Sequence, residues 1–229
     1  MKPIVVIPAR GGSKRIPKKN ISIISGEPAL GLLISKLDST NLFGEIIVST
    51  DDADINKIAI DFGAKVSIRQ KEELSDDFTP SEEVIRSFIV ENQLADAVTP
   101  IFCIYPLAVL IQQDDLVEAL NKLVMSPNRF VISAGLLEVN PLRHTFRNLD
   151  PEIEILFPEN NLKRSQDLEL AYYDAGMFYL AHAKTWLDPN KYWYNNNALT
   201  VLIPSENCID VDTPADLEKL RKRYDEVHR

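Results

Sequence analysis

Short apolar runs alternate with amphipathic segments along the first 134 residues of the chain. The runs at residues 3–8, 45–50, 66–69, 101–105 and 130–134 are rich in β-branched and other apolar side chains, which predicts buried strands. Between these runs, apolar side chains recur at helical spacing, as in Leu30, Leu33, Ile34 and Leu37, in residues 52–62, in Val84, Ile85, Phe88 and Ile89, and in Leu116, Leu120 and Leu123. The alternation predicts an α/β protein with a mostly parallel sheet covered by helices on both faces.

Local signals predict where several helices begin and end. Asp52 and Asp54 favour the start of one helix, and Gly63 favours its end. Residues 79–82 form a capping box with proline at the first helical position. Residues 213–216 open the last helix, where Asp216 occupies the third position and is predicted to cap it.

The alternation stops between residues 138 and 175. This segment is polar, is punctuated by proline and lacks helical periodicity, whereas residues 177–181 and 199–203 again predict strands. A long irregular segment inside a compact domain is usually functional. We therefore expect a single domain over residues 1–229, with a projecting arm of short strands inserted at about 138–175.

Charge is distributed unevenly. The net charge of −9 argues against a general nucleic-acid binder. No acidic residue precedes Glu27, whereas this stretch contains Lys2, Arg10, Lys14, Arg15, Lys18 and Lys19. This pattern favours binding of a compact anion, and the alternative is a solvated basic loop.

Composition also bears on location. No apolar stretch reaches the roughly 18 residues that span a membrane, and the N-terminus lacks the pattern of a signal peptide. Cys103 and Cys208 lie in apolar, strand-like surroundings, which predicts buried free thiols. We expect a cytoplasmic protein with no membrane partner.

The basic loop of residues 9–20 follows the first predicted strand, where α/β folds bind ligands. Gly11 and Gly12 allow the backbone to approach a phosphate closely. Cations at positions 10, 14 and 19 are suited to neutralising a triphosphate. The loop matches neither the ATPase phosphate loop nor the dinucleotide fingerprint, because the required glycine and lysine spacings are absent.

Asp210 and Asp212 are spaced to point to one side of an extended segment. Paired carboxylates are typical ligands of Mg²⁺, together with water and substrate phosphates. The alternative is a solvated acidic turn before a helix.

Residues 7–20 closely resemble the signature of the acylneuraminate cytidylyltransferases, the family that makes CMP-sialic acids and related sugars. The resemblance continues through residues 49–52, 74–77 and 209–216. It implies the three-layer, Rossmann-like nucleotide-diphospho-sugar-transferase fold, with the arm used for dimerisation. It also implies that CMP is transferred from CTP to an acidic nonulosonic sugar, that Mg²⁺ binds the aspartate pair, and that the protein is a homodimer.

The same resemblance assigns site residues. CTP would be bound by Ala9, Arg10, Gly11, Gly12, Ser13, Lys14, Lys19, Asn20 and Arg69, with Arg10, Lys14 and Lys19 in catalytic roles and Asn20 contacting the cytosine. The sugar would be bound by Tyr105, Arg143, Arg164, Gln166 and Asp174. For Arg143 and Arg164, the alternative is surface charge on the arm.

Residues 164–179 look like the branch of the family that acts on pseudaminic acid. The chain departs from this branch at residues 106–110, where a polar threonine is missing, and at Tyr173, Met177 and Leu180. The same reaction on N-acetylneuraminate, legionaminate or Kdo therefore remains an alternative. A second alternative is a homologue that binds CTP or sugar without turnover.

Overall fold

In a computed structural model, the described part of the chain comprises residues 2–68, 80–94, 98–194 and 198–228. Strands in these residues are β1 (Ile4–Pro8), β2 (Ile23–Ile24), β3 (Glu27–Pro28), β4 (Glu45–Thr50), β5 (Lys65–Ile68), β6 (Pro100–Ile104), β7 (Val131–Leu136), β8 (Phe146–Asn148), β9 (Ile153–Ile155), β10 (Tyr172–His182) and β11 (Leu199–Ile203). Helices are α1 (Ala29–Ser39), α2 (Ala53–Asp61), α3 (Ser81–Glu91), α4 (Gln113–Met125), α5 (Ala183–Trp186) and α6 (Pro214–Val227).

The main sheet has the strand order β11-β7-β10-β6-β1-β4-β5. Its neighbouring strands are parallel except around β10, which runs antiparallel to both β6 and β7. The prediction of a mostly parallel α/β sheet is therefore confirmed. The direction of β10 was not predicted, because a strand's own residues do not specify which way its neighbours run.

The apolar run in β1 is continuous because both faces of the sheet are covered. Val5 and Ile7 belong to one core cluster, which includes residues of α1, α2, α4 and α6. Val6 belongs to a second cluster on the other face, with residues of α3 and α5. Helix, sheet and helix thus form the three predicted layers.

Most of the predicted helix ends agree with the structure. Asp52 caps α2 by accepting hydrogen bonds from the amides of Asp54 and Ile55, at 2.8 and 3.0 Å. Gly63 follows α2 with φ of 89°. Helix α3 begins at Ser81, one residue later than predicted, because Pro80 is extended. Residue 79, the first of the predicted capping box, lies outside the described residues.

The segment 138–175 contains a short hairpin, β8–β9, whose residues are all exposed. Regular structure resumes at Tyr172, earlier than the predicted residue 177, because β10 continues into the arm. Cys103 is buried and Cys208 is half-buried, and neither forms a disulfide. Among the described residues, no helix has the length and hydrophobicity needed to span a bilayer.

Candidate functional site

A cleft of about 560 Å³ lies at the carboxyl ends of β1 and β6. Pro8 ends β1 and Tyr105 follows β6, and both line the cleft. Part of β10 and the segment before α6 complete its walls. Because parallel strands direct their carboxyl ends to one edge, the fold places the basic loop at the usual ligand position of an α/β sheet.

The basic loop contributes most of the charge in the cleft, through Arg10, Ser13, Lys14, Arg15, Lys19 and Asn20. One hydrogen bond closes the loop on itself, and two further contacts attach it to the rest of the fold. Asn20 Nδ2 donates to the carbonyl of Arg10 at 2.9 Å, and Lys19 Nζ donates to the carbonyl of Val211 at 2.7 Å. Ile16 is buried in the core beneath the loop. These contacts hold the cations at the mouth of the cleft.

Gly11 is required by the close approach of another segment. Its amide donates to Asp51 Oδ1 at 3.1 Å. A Cβ atom at this position would lie 2.4 Å from Asp52 Oδ2, which is a steric clash. At Gly12, by contrast, a Cβ atom would meet nothing within 4 Å. Ala9, whose side chain is fully buried, supports the loop from below through its amide, which donates to Ser49 O at 2.9 Å.

The acidic pair also lines the cleft, and one of its members contacts the loop. Asp212 Oδ1 contacts Arg15 Nη2 at 2.8 Å and Lys19 Nζ at 3.8 Å. The Asp210 carboxylate is exposed and has no hydrogen bond or ion pair with any described residue. The two carboxylates therefore differ: one is neutralised by the loop, and the other is open to a ligand.

Asp216 has a separate, structural role. Its Oδ2 accepts hydrogen bonds from the hydroxyl of Thr213 at 2.7 Å and from the Thr213 amide at 2.9 Å. These bonds lower the pKa of Asp216 to about 2. The predicted capping role is therefore confirmed.

The remaining wall of the cleft is neutral. It includes Ser81, Val84 and Tyr105, the altered residues Pro106, Leu107 and Ala108, and the neighbouring Gly176 and Met177. Burial raises the pKa of the Tyr105 phenol, which also shares a hydrogen bond with Ser81. Tyr105 is therefore an uncharged hydrogen-bonding group at neutral pH. Val109 and Leu110, the rest of the altered stretch, are buried in the core.

The structure brings together one part of the predicted site and separates another. Predicted residues that line the cleft are Arg10, Ser13, Lys14, Lys19, Asn20, Tyr105, Asp210 and Asp212. Predicted sugar ligands that do not line it are Arg143, Arg164, Gln166 and Asp174. Arg69 lies outside the described residues. The binding roles of all these residues stay predictions.

The four predicted sugar ligands have other surroundings in this chain. Arg143 Nη1 donates to Ser165 Oγ at 3.1 Å, and Arg164 Nε lies 4.0 Å from Asp167 Oδ2. Gln166 is exposed on the arm. Asp174 accepts hydrogen bonds from its own chain, as described below.

Sequence reasoning missed Arg15. It was counted among the loop cations, but nothing in its local sequence indicates that it would contact Asp212. The charges of this segment indicate an anion site for the loop as a whole, without distinguishing one cation from another. Which cation faces the acidic pair depends on how the last third of the chain packs.

Comparison with known proteins agrees with this architecture. The family model described as "Cytidylyltransferase" matches residues 4–219. The pseudaminic acid cytidylyltransferase of Campylobacter jejuni is 35% identical, covering 100% of this chain and 98% of the relative. The CMP-N,N'-diacetyllegionaminic acid synthase of Legionella pneumophila is 28% identical, covering 94% and 93% of the two chains.

A solved structure of a CMP:2-keto-3-deoxy-manno-octonic acid synthetase complexed with CTP has the same fold. It superposes with a TM-score of 0.72 at 18% identity, covering 99% of this chain and 100% of that one. The fold predicted from the sequence resemblance is thereby confirmed. The full-length family match, the 35% identical relative and the position of the cleft agree with one another, and the chain belongs to the cytidylyltransferase family.

Proposed function

We propose that the protein transfers CMP from CTP to an acidic nonulosonic sugar, with pseudaminic acid as the substrate, and releases pyrophosphate. The observation that carries the proposal is the cleft itself, where loop cations and an acidic pair lie together beside an uncharged wall. The choice of sugar rests on the relative from Campylobacter jejuni, whose similarity extends over the whole chain.

The chemistry needs positioning and charge stabilisation rather than a protein nucleophile. The anomeric hydroxyl oxygen forms a bond to the α-phosphorus, the bond from that phosphorus to the pyrophosphate oxygen breaks, and the hydroxyl proton leaves to solvent. Arg10, Lys14 and Lys19 neutralise the triphosphate and the departing pyrophosphate. Asn20 already uses Nδ2 to hold the loop, so its Oδ1 is the atom we assign to accept from the cytosine amino group.

The acidic pair has suitable donor chemistry for Mg²⁺, because both ligands are hard oxygen atoms. No cluster of three or more His, Cys, Asp or Glu side chains suited to a metal occurs among the described residues. We assign the ion to Asp210, whose carboxylate is exposed, and to Asp212, with its other ligands supplied by water and phosphate. When bound, Mg²⁺ would withdraw negative charge from the α-phosphate.

The arm at about 138–175 of the 1–229 domain is proposed to form a homodimer. Its hairpin and neighbouring turns expose large apolar side chains, including Phe146, Ile153, Leu162 and Leu170. Exposed apolar groups in one region are typical of a protein interface. A strictly monomeric species in light scattering at micromolar concentration would remove this part of the proposal. The two free thiols support a reducing, cytoplasmic location.

The test is pyrophosphate release from CTP, UTP, ATP and GTP, each combined with pseudaminate, legionaminate, N-acetylneuraminate and Kdo. We expect the highest kcat/KM with CTP and pseudaminate. Comparable release with UTP would contradict the role of Asn20. A higher kcat/KM with another acid would identify that acid as the substrate in place of pseudaminate. CTP binding without pyrophosphate release in the presence of any of the sugars would identify a non-catalytic homologue.

A further inference from the structure

Strand β10 contains an irregularity where it passes the cleft. It pairs with β7 through Asp174 opposite Ala134 and then through Tyr179 opposite Ile132. Residues 175–178 of β10 therefore lie opposite the single residue Ser133 of β7. Gly176 within this bulge has φ of 61°, a left-handed conformation that favours glycine. Bulges of this kind redirect side chains and are frequent beside active sites.

The hydroxyl of Ser133 replaces the backbone partners that the bulge loses. Its Oγ accepts from the amides of Met177 and Phe178, at 3.1 and 3.2 Å, and donates to the carbonyl of Phe178 at 3.3 Å. The side chain is fully buried. A hydroxyl has one donor and two acceptor sites, so all of its capacity is used on the bulge.

The carboxylate of Asp174 holds the other end of the bulge. Its Oδ1 accepts from the Gly176 amide at 2.9 Å. Its Oδ2 accepts from the hydroxyls of Tyr179 and Tyr194, at 2.5 and 2.7 Å. The ring of Tyr179 is buried and stacks on Trp193, with the ring centroids 4.0 Å apart. Asp174 is thus engaged by its own chain and does not line the cleft.

On the side of β10 away from β7, the bulge contacts the wall of the cleft. The carbonyl of Met177 accepts from the amide of Tyr105 at 3.1 Å, which fixes the bulge against the start of the neutral wall. Met177 lines the cleft with Val84, Leu107 and Ala108, and these side chains present apolar surface. Cations in the loop are suited to phosphates, whereas an apolar wall is suited to uncharged substituents such as the methyl groups of acylamino sugars.

On the basis of the function proposed above, we propose that Asp174 and Ser133 are positioning residues that hold the β10 bulge as the specificity wall for the acyl groups of the sugar. Asp174 acts through Gly176 and Met177 and does not touch the sugar. Tyr194 does not line the cleft, but it supports the same bulge because its hydroxyl donates to Asp174.

The test compares Tyr194→Phe and Asp174→Asn with the control Tyr192→Phe. Tyr192 is an exposed tyrosine on the same segment that contacts Arg86 through its ring, with the guanidinium 5.9 Å from the ring centroid. Loss of one hydrogen bond to a charged group costs about tenfold, so we expect both site variants to raise the sugar KM by about that factor. The CTP dissociation constant, measured by calorimetry, should equal that of the wild type, as should all parameters of Tyr192→Phe.

The two roles of Asp174 give different results. An unchanged sugar KM in Tyr194→Phe would overturn the proposal, because Tyr194 supports the bulge only through Asp174. If Asp174 instead bound a sugar hydroxyl directly, its substitution would raise the KM of an acylated acid and of Kdo alike. The preference for an acylated acid over Kdo, expressed as a ratio of kcat/KM values, should also fall in both variants, and an unchanged ratio would overturn the wall assignment. Should Asp174→Asn fail to fold, the Tyr194→Phe variant decides, because Tyr194 is exposed and its substitution leaves the core intact. Wild-type turnover on the sugar panel tests the proposed function separately.

Discussion

The basic loop of residues 9–20 and the arm of residues 138–175 share two sequence properties, since both are irregular and both carry cations predicted to contact substrate. Their structures differ. The loop is attached to the rest of the fold at Ile16 and Lys19, and Asn20 closes it onto the Arg10 carbonyl. All of its cations except Lys18 line the cleft. In the arm, Arg143 contacts Ser165, another arm residue, and Arg143 does not line the cleft.

The difference shows what places a charge in a site. The loop follows a buried central strand, so the sheet fixes its position and its cations converge with the acidic pair. The arm has little apolar surface in the core and instead exposes side chains such as Phe146 and Leu162. A cation on such a segment reaches substrate only if the segment packs against something further.

The largest effect is expected at the acidic pair that faces the loop. Asp210→Ala should reduce turnover by about a hundredfold, the scale for losing a main electrostatic element of an active site. The protein should remain folded, because the side chain is exposed. Turnover in Mg²⁺ and the affinity for Mn²⁺ in the presence of CTP are the measurements. Asp61→Asn, on an exposed helix pair with Lys57, is the control. Near-normal activity of Asp210→Ala would contradict the metal assignment.

A smaller effect is expected within the loop, and it separates two neighbouring lysines. Lys14 lines the cleft, whereas Lys18 pairs with Asp54 at 2.6 Å and does not line it. Asp54 raises the pKa of Lys18, chiefly through this hydrogen bond. Lys14→Ala should weaken CTP binding by about tenfold, the scale for a hydrogen bond between charged groups, and should also lower kcat. Lys18→Ala should leave both unchanged, and equal effects would indicate a diffuse basic patch.

The smallest effect is expected in the arm. An acidic sugar needs a cation, and the cations of the described cleft belong to the basic loop, which we assign to the triphosphate. We therefore expect Arg143→Ala to raise the sugar KM by about threefold, the scale of a solvent-exposed ion pair, with the CTP KM unchanged. Arg147→Ala is the matched control, because Arg147 pairs with Glu154 inside the hairpin at 3.2 Å. Unchanged sugar kinetics for Arg143→Ala would leave the arm without a role in substrate binding.

Sequence reasoning performed best where local chemistry is sufficient. The span of β4 was predicted to the residue, as was that of β11, because apolar runs between turns have few other conformations available. The end of α2 at Gly63 and the Thr213–Asp216 cap followed from the conformational freedom and hydrogen-bonding capacity of single residues. The position of the basic loop at the ligand edge of the sheet was predicted because the loop follows a buried strand.

Other features depend on contacts between distant segments. Three such features are the antiparallel direction of β10, the bulge opposite Ser133 and the pairing of Arg15 with Asp212. Each depends on contact between segments that are far apart in sequence. A buried serine in a strand looks like any small polar residue until the strand beside it is known.

The sequence by itself thus determined the α/β layers, the family and the position of the cationic loop, because apolar periodicity and residue chemistry act over a few neighbouring positions. Only the tertiary structure decided which charges share the cleft and which are engaged elsewhere. Asp174 and Asp210 are both acidic residues within recognised motifs, yet one accepts three hydrogen bonds from its own chain and the other is open to solvent. That distinction arises from the packing of β10 against its neighbours, which no local pattern encodes.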